Sequence, residues 1–154
     1  MHTLDKGLRS ALENTILAAR SAAEEAAQIV LEALGVGEKV PFPHLNDAER
    51  TLRRKLRSHG RQLGDWLYEE GKQTIVALTE EVAYQHWHRM LFARFLVENN
   101  LLMDDDPVSP IPLTIEECND LAPSLGARNG WDLAARYASR MLPQIFLNDS
   151  PIFS

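Results

Sequence analysis

The chain has 154 residues, 45% of them hydrophobic and 25% charged, and carries a net charge of −6 at pH 7. That is apolar material for one domain with one core, and the acidic balance argues against a body coated in nucleic-acid-binding surface. The single cysteine, Cys118, excludes an intrachain disulfide and fits a reducing, cytoplasmic compartment, while no signal segment and no run of ~18 apolar residues is present, so no membrane partner is expected.

Leu, Ala, Glu and Arg dominate, which favours helix. No segment sustains the period-two alternation of a strand. Thr3 is the candidate cap of a first helix over about residues 4–34. Its apolar positions are Leu8, Leu12, Thr15/Ile16, Ala19, Ala22/Ala23, Ala26, Ile29/Val30 and Ala33/Leu34. They recur near a heptad spacing, and the small alanines permit close approach by a neighbour. Gly35 stops the helix and Gly37 loosens its exit. Residues 39–44, with Pro41 and Pro43, form an extended connector. Residues 1–45 are therefore a long helix plus connector, and residues 46–154 a helical domain, in a single domain overall.

Asn46 and Glu49 have the spacing of a complete capping box for a second helix. That helix is basic, with a thin apolar seam of Ala48, Leu52, Leu56 and Leu63, and Gly60 and Gly64 fray or end it. Trp66, Leu67 and Tyr68 make a short apolar knot before Gly71. A third helix spans about residues 72–100. Ala83, Trp87, Leu91 and Phe95 form its stripe, and its upper half is apolar on nearly every face, which predicts a central helix enclosed by its neighbours. Asn99, Asn100 and the acids Asp104, Asp105 and Asp106 end it, and Pro107, Pro110 and Pro112 make an irregular loop.

Thr114 and Glu117 form a second capping box, for a short fourth helix reaching about residue 121 or 125. Gly126 and Gly130 bound a loop. The last helix covers about residues 131–142, with Trp131, Leu133/Ala134, Tyr137/Ala138 and Met141 inward. Pro143 kinks it, since Ile145, Phe146 and Leu147 continue the apolar pattern. Ile152 and Phe153, just before Ser154, read as polypeptide that continues. The expected fold is all-α: five to six helices around a central buried helix, with a long N-terminal helix and no sheet.

The sharpest candidate for function is a cationic patch. Arg50, Arg53, Arg54, Lys55, Arg57 and Arg61 face only Asp47 and Glu49 between residues 46 and 64, so that segment is +4 and the remainder −10. Arg50, Arg53/Arg54, Arg57 and Arg61 recur at helical spacing, a ridge suited to sequence-blind contact with DNA phosphates. The competing reading is a solvated face, or a partner for the acids Glu24, Glu25 and Asp104 to Asp106. Arg89 and Arg94 read first as ion-paired residues, Arg94 with Glu98 at i,i+4 and Arg89 with a carboxylate of another helix. His86 and His88 stand two apart on a helix and diverge, so no metal pair is expected. The acid run lacks the alternate spacing of a calcium loop. Cys118 has no histidine partner, and Gly35-Val36-Gly37 follows a helix, not a strand, so neither reads as a catalytic element.

Residues 80–102 read EEVAYQHWHRMLFARFLVENNLL. Glu81-Val82-Ala83-Tyr84, Trp87, Arg89, Arg94-Phe95-Leu96, Glu98-Asn99 and Leu101-Leu102 resemble a helix in the N-terminal region of large adenine-specific DNA methyltransferases. These enzymes serve restriction–modification and phage-defence systems, including BREX-type systems. The flanking runs RRKLRSHGRQLGD and GWDLAARYASRMLPQIFLNDSPIF agree with the same family. The resemblance covers most of the chain beyond about Leu45 and leaves the first helix unassigned. It implies a parent that moves a methyl group from S-adenosylmethionine to the exocyclic amine of adenine. Such chemistry needs a Gly-rich turn after a strand and an Asn/Asp-Pro-Pro-aromatic loop around the flipped base. The chain has neither, so no catalytic residue, cofactor or metal is assigned to it, and catalysis falls to polypeptide beyond Ser154. The implied role is a non-catalytic helical domain that braces the downstream catalytic domain and contacts duplex DNA through its backbone. The rival is a helical interaction or dimerisation module in which the first helix docks a partner subunit, without nucleic-acid contact. A free-standing helix-turn-helix regulator fits less well, because no tight helix pair leads into a polar recognition helix.

Overall fold

A computed structural model describes residues 5–106 and 108–143. It contains five helices, α1 (Lys6–Ala33), α2 (Asp47–Leu63), α3 (Val76–Glu98), α4 (Ile115–Leu121) and α5 (Gly130–Met141), and no strand among the described residues. The all-α expectation holds. No described helix is long and apolar enough to cross a membrane. The chain divides into two compact units, one ending at Tyr84 and the other beginning at Gln85.

In the first unit, Asp5 caps α1 by accepting from the Gly7 amide, 3.2 Å. The expected cap, Thr3, lies outside the described residues. Beyond Ala33 the chain turns through Gly35, whose φ of +63° lies in the left-handed region. The amide of Val36 then reaches back to the Leu31 carbonyl at 3.0 Å, and Val36 is fully buried. The α2 box forms as its spacing predicts: Glu49 N donates to Asn46 Oδ1 at 2.9 Å and Asn46 N to Glu49 Oε2 at 2.8 Å.

Gly60 does not fray α2. It is buried inside the helix, and a Cβ there would stand 2.9 Å from Asp65 Oδ2 and 3.0 Å from Gln73 Nε2. Gly64, with φ +114°, ends α2. The predicted apolar knot is instead a surface turn. Trp66, Leu67 and Tyr68 are exposed, while their backbones pair with residues 72–74 through Tyr68 N to Lys72 O, 2.8 Å, and Thr74 N to Trp66 O, 2.9 Å. That pairing is why α3 starts at Val76 and not near residue 72. Asp65 caps it from a distance in sequence, accepting from the amides of Ala77 and Leu78, each 3.0 Å.

In the second unit the core is Ala93 and Leu96 of α3, Leu102, Leu113, Cys118 and Ala122, with Leu133, Ala134, Ala135, Tyr137 and Ala138 of α5. Asn100, φ +56°, closes α3, and the Leu101 amide donates to the Leu96 carbonyl at 2.8 Å. Beyond the end of α3, Asp104 and Asp106 take part in the loop that follows. Asp104 Oδ1 accepts from the Ile111 amide at 3.0 Å and Asp106 Oδ1 from the Val108 amide at 2.9 Å, so both shape the loop. Thr114 and Glu117 complete the α4 box. Gly130 is a point of close approach: a Cβ would lie 2.3 Å from Asn119 Oδ1, the atom that accepts its amide hydrogen. α5 turns Leu133, Ala134, Tyr137 and Ala138 inward as predicted, but leaves Met141 exposed. The expected continuation through Ile145, Phe146 and Leu147 lies outside the described residues.

Candidate functional site

The cationic segment of α2 folds largely onto its own unit. Arg53 is 3% exposed. Its Nε donates to the Gly35 carbonyl at 2.8 Å and its Nη2 to the Glu38 carbonyl. Arg57 lies a turn further on. Its Nη1 donates to the carbonyls of Val36, at 2.6 Å, and Glu38, and its Nη2 to Gly71, at 2.9 Å. Arg61 Nη1 donates to Gln73 Oε1 at 3.0 Å, and Gln73 Nε2 returns a bond to the Arg57 carbonyl at 3.0 Å. Arg50 Nε caps the Leu45 carbonyl at 2.9 Å.

Two guanidinium forks thus fasten the turn after α1 and the turn before α3 to one helix, in the bidentate manner that suits arginine better than lysine. Burial pulls the pKa of Arg53 below its ordinary value, against the pull of Glu38. Burial does the same to Arg57, helped by Arg53 and Arg61. Arginine stays charged regardless. The open ridge predicted for Arg50, Arg53, Arg54, Arg57 and Arg61 is therefore corrected. Arg53 is internal, Arg57 half-buried, and Arg50 and Arg61 are tied to neighbouring groups. Arg50, Arg54, Lys55 and Arg61 remain exposed, and Arg54 bonds Thr51 of its own helix at 3.1 Å.

The second candidate surface is on α3, where the predicted inward stripe holds at Ala83, which is buried, is half-buried at Trp87, and is reversed at Leu91 and Phe95. Leu91 is 49% and Phe95 54% exposed, whereas Ala93 is fully buried and Leu96 nearly so. α3 is apolar on both sides, so periodicity favours neither. The small Ala93 admits close neighbours, and the larger side chains are left outward. Residues 87, 91, 94, 95 and 98 lie within about 100° of arc at 3.6 residues per turn. Trp87, Met90, Leu91 and Arg94 line an open groove of about 300 Å³ with Trp131 of α5. Arg94 Nε pairs with Glu98 Oε1 at 2.7 Å, the i,i+4 bond its spacing predicts, on the exposed side of the helix. Asn99 Nδ2 donates to the Phe95 carbonyl at 2.8 Å. Of the other residues that carry the resemblance, Tyr84 is exposed, and Trp87 and Arg89 are half-buried.

Asp132, which sequence reasoning passed over, organises charge beside this face. Burial raises its pKa, but the Arg128 amide and side chain and the Arg136 charge outweigh that and hold it below the ordinary carboxylate value. Arg136 Nη2 lies 3.0 Å and Arg128 Nη2 3.2 Å from its oxygens. Asp132, a carboxylate of another helix, also offsets part of the burial that lowers the Arg89 pKa. Packing, then Arg128 and Arg89, lowers the His86 pKa.

Cys118 is fully buried, and burial followed by Glu117 pushes its thiol up, away from a reactive thiolate. No group of three or more His, Cys, Asp or Glu among the described residues is placed to hold a metal ion. Comparison of the chain with protein-family models, with curated proteins and with solved structures finds no match.

Proposed function

We propose that this chain is the non-catalytic N-terminal helical part of an S-adenosylmethionine-dependent, adenine-specific DNA methyltransferase, and that it braces the catalytic domain through the outward face of α3. The observation that carries the proposal is where the family-like residues stand. Arg94, Phe95 and Glu98 are exposed with Leu91, beside a groove walled by Trp87 and Trp131. A core role would put aromatic residues inside. An aromatic and arginine-bearing face left open suits docking against another surface. S-adenosylmethionine would be held by the catalytic domain. Duplex contact in this segment rests on the exposed cations Arg50, Arg54, Lys55 and Arg61, since Arg53 is buried and Arg57 half-buried against its own unit.

The test compares the 154-residue chain with the longer polypeptide that continues it. The longer polypeptide transfers tritiated methyl groups from S-adenosylmethionine to adenine in duplex DNA; the chain alone does not. Leu91→Asp with Phe95→Asp lowers the rate of the longer polypeptide about tenfold or more, the cost of ~1.4 kcal/mol of lost docking. A longer polypeptide that methylates no adenine, or methylates it unaffected by the double substitution, overturns the reading. The second reading, an interaction module without nucleic-acid contact, draws on a separate observation, the uncovered apolar stripe of α1.

A further inference from the structure

The positions Leu8, Leu12, Thr15, Ala19, Ala22, Ala26, Ile29 and Ala33 alternate in steps of four and three along α1. All eight are exposed, including Leu8 at 56% and Ile29 at 60%. The buried residues of α1 are Ala27 and Leu31, which lie on the opposite side of the helix. α1 therefore rests on its own unit with its back and shows its seam to solvent. Residues 5–22 are exposed around the whole circumference. Most helical stability in proteins comes from packing an apolar face, and this stretch presents Leu8, Leu12, Ile16 and Leu17 unpacked.

We propose that α1 pairs with α1 of a second copy of this chain as an antiparallel coiled coil. A strict seven-residue repeat drives two helices to wind left-handedly about each other. A two-fold axis between residues 20 and 21 sets Leu12 opposite Ile29 of the second copy and Leu8 opposite Ala33. Thr15 then meets Ala26, and Ala19 meets Ala22. The seam is narrow at its middle and wide toward its ends, so it matches itself, which is the requirement of an isologous dimer. Charge chooses the direction. Lys6, Arg9 and Glu13 make the first half of α1 +1, and Arg20, Glu24, Glu25 and Glu32 make the second half −2. A parallel pair sets like halves together; an antiparallel pair sets opposite halves together and opposes the helix dipoles. This proposal is independent of the methyltransferase reading.

Sedimentation equilibrium of the 154-residue chain at tens of micromolar tests it. The expected mass is twice 17.4 kDa. Ala22→Glu, at an exposed position in the middle of the seam, halves the mass while circular dichroism shows α2 to α5 still folded. Direction is read with Leu12→Cys and Ile29→Cys, since Cys118 is buried. Mild oxidation cross-links a mixture of the two variants and neither variant by itself. A monomer throughout, a dimer untouched by Ala22→Glu, or Leu12→Cys cross-linking to itself each overturns the antiparallel pair.

Discussion

Arg53 takes a charge that sequence assigns to the surface and places it under two turns of backbone. The carbonyls of Gly35 and Glu38 have no other described side chain donating to them at that point except Arg57, which shares Glu38. Removing the fork leaves the buried Gly35 carbonyl with the Glu38 amide, 3.1 Å away, in place of two donors. Arg53→Ala is therefore expected to cost about 2–3 kcal/mol, as lost charge-assisted bonds do, and Arg53→Lys to recover little of it, because an ammonium cannot span both carbonyls. Urea unfolding of the two variants measures this; a shift within error for Arg53→Ala would mean the clasp is decorative. Asp132 gives a prediction in pH. Its folded pKa is depressed, so its stabilisation is present above the unfolded value near ~3.9 and is lost as pH falls through the lower folded value. Its partners are partly exposed, which limits the effect. Asp132→Asn should cost about 1 kcal/mol at neutral pH, and the melting temperatures of variant and parent should converge in strong acid, where both side chains are neutral.

At the scale of the element, capping boxes and the inward face of α5 are legible, and the inward face of α3 is not. The boxes at Asn46–Glu49 and Thr114–Glu117 form as their spacing says, because both partners sit within one turn and no distant group competes. The Asp65 cap of α3 was missed, since its partners are the amides of residues 77 and 78. The arginine clasp was missed for the same reason: a guanidinium that binds carbonyls 14 to 21 residues away leaves no periodic trace. α3 misled in another way. With apolar residues on all sides, its stripe has no preferred direction, and burial selected the Ala93–Leu96 side. Two substitutions separate the assignments. Leu96→Ala, in the core of the second unit, should cost about 2–4 kcal/mol with its cavity. Trp87→Ala, half-buried on the groove side, should cost less, about 1–2 kcal/mol for the area it covers. The reverse order in thermal melts would restore Trp87 to the centre of the core.

For the molecule as a whole, a balance of −6 leaves few charges free to meet a polyanion. The +4 segment of α2 suggests a six-cation ridge, yet Arg53 and Arg57 are turned onto carbonyl groups of their own unit. Each phosphate neutralised by a protein cation adds about 0.9 to the steepness with which log affinity falls against log salt. Six contacts give a slope of about −5.4, and the four exposed cations Arg50, Arg54, Lys55 and Arg61 give about −3.6. Titrating a fluorescent duplex with the 154-residue chain over a range of salt concentrations should therefore return weak binding with the shallower slope, flattened further by Arg54→Glu with Lys55→Glu. That pair of substitutions touches no buried group, so folding is kept and the loss reports contact alone. A slope of about −5.4 would require Arg53 and Arg57 to leave their carbonyls and meet the duplex, exchanging an internal clasp for an interface; the melting temperature of the DNA-bound chain would then reveal the turns at residues 35–38 and 71–73 coming loose.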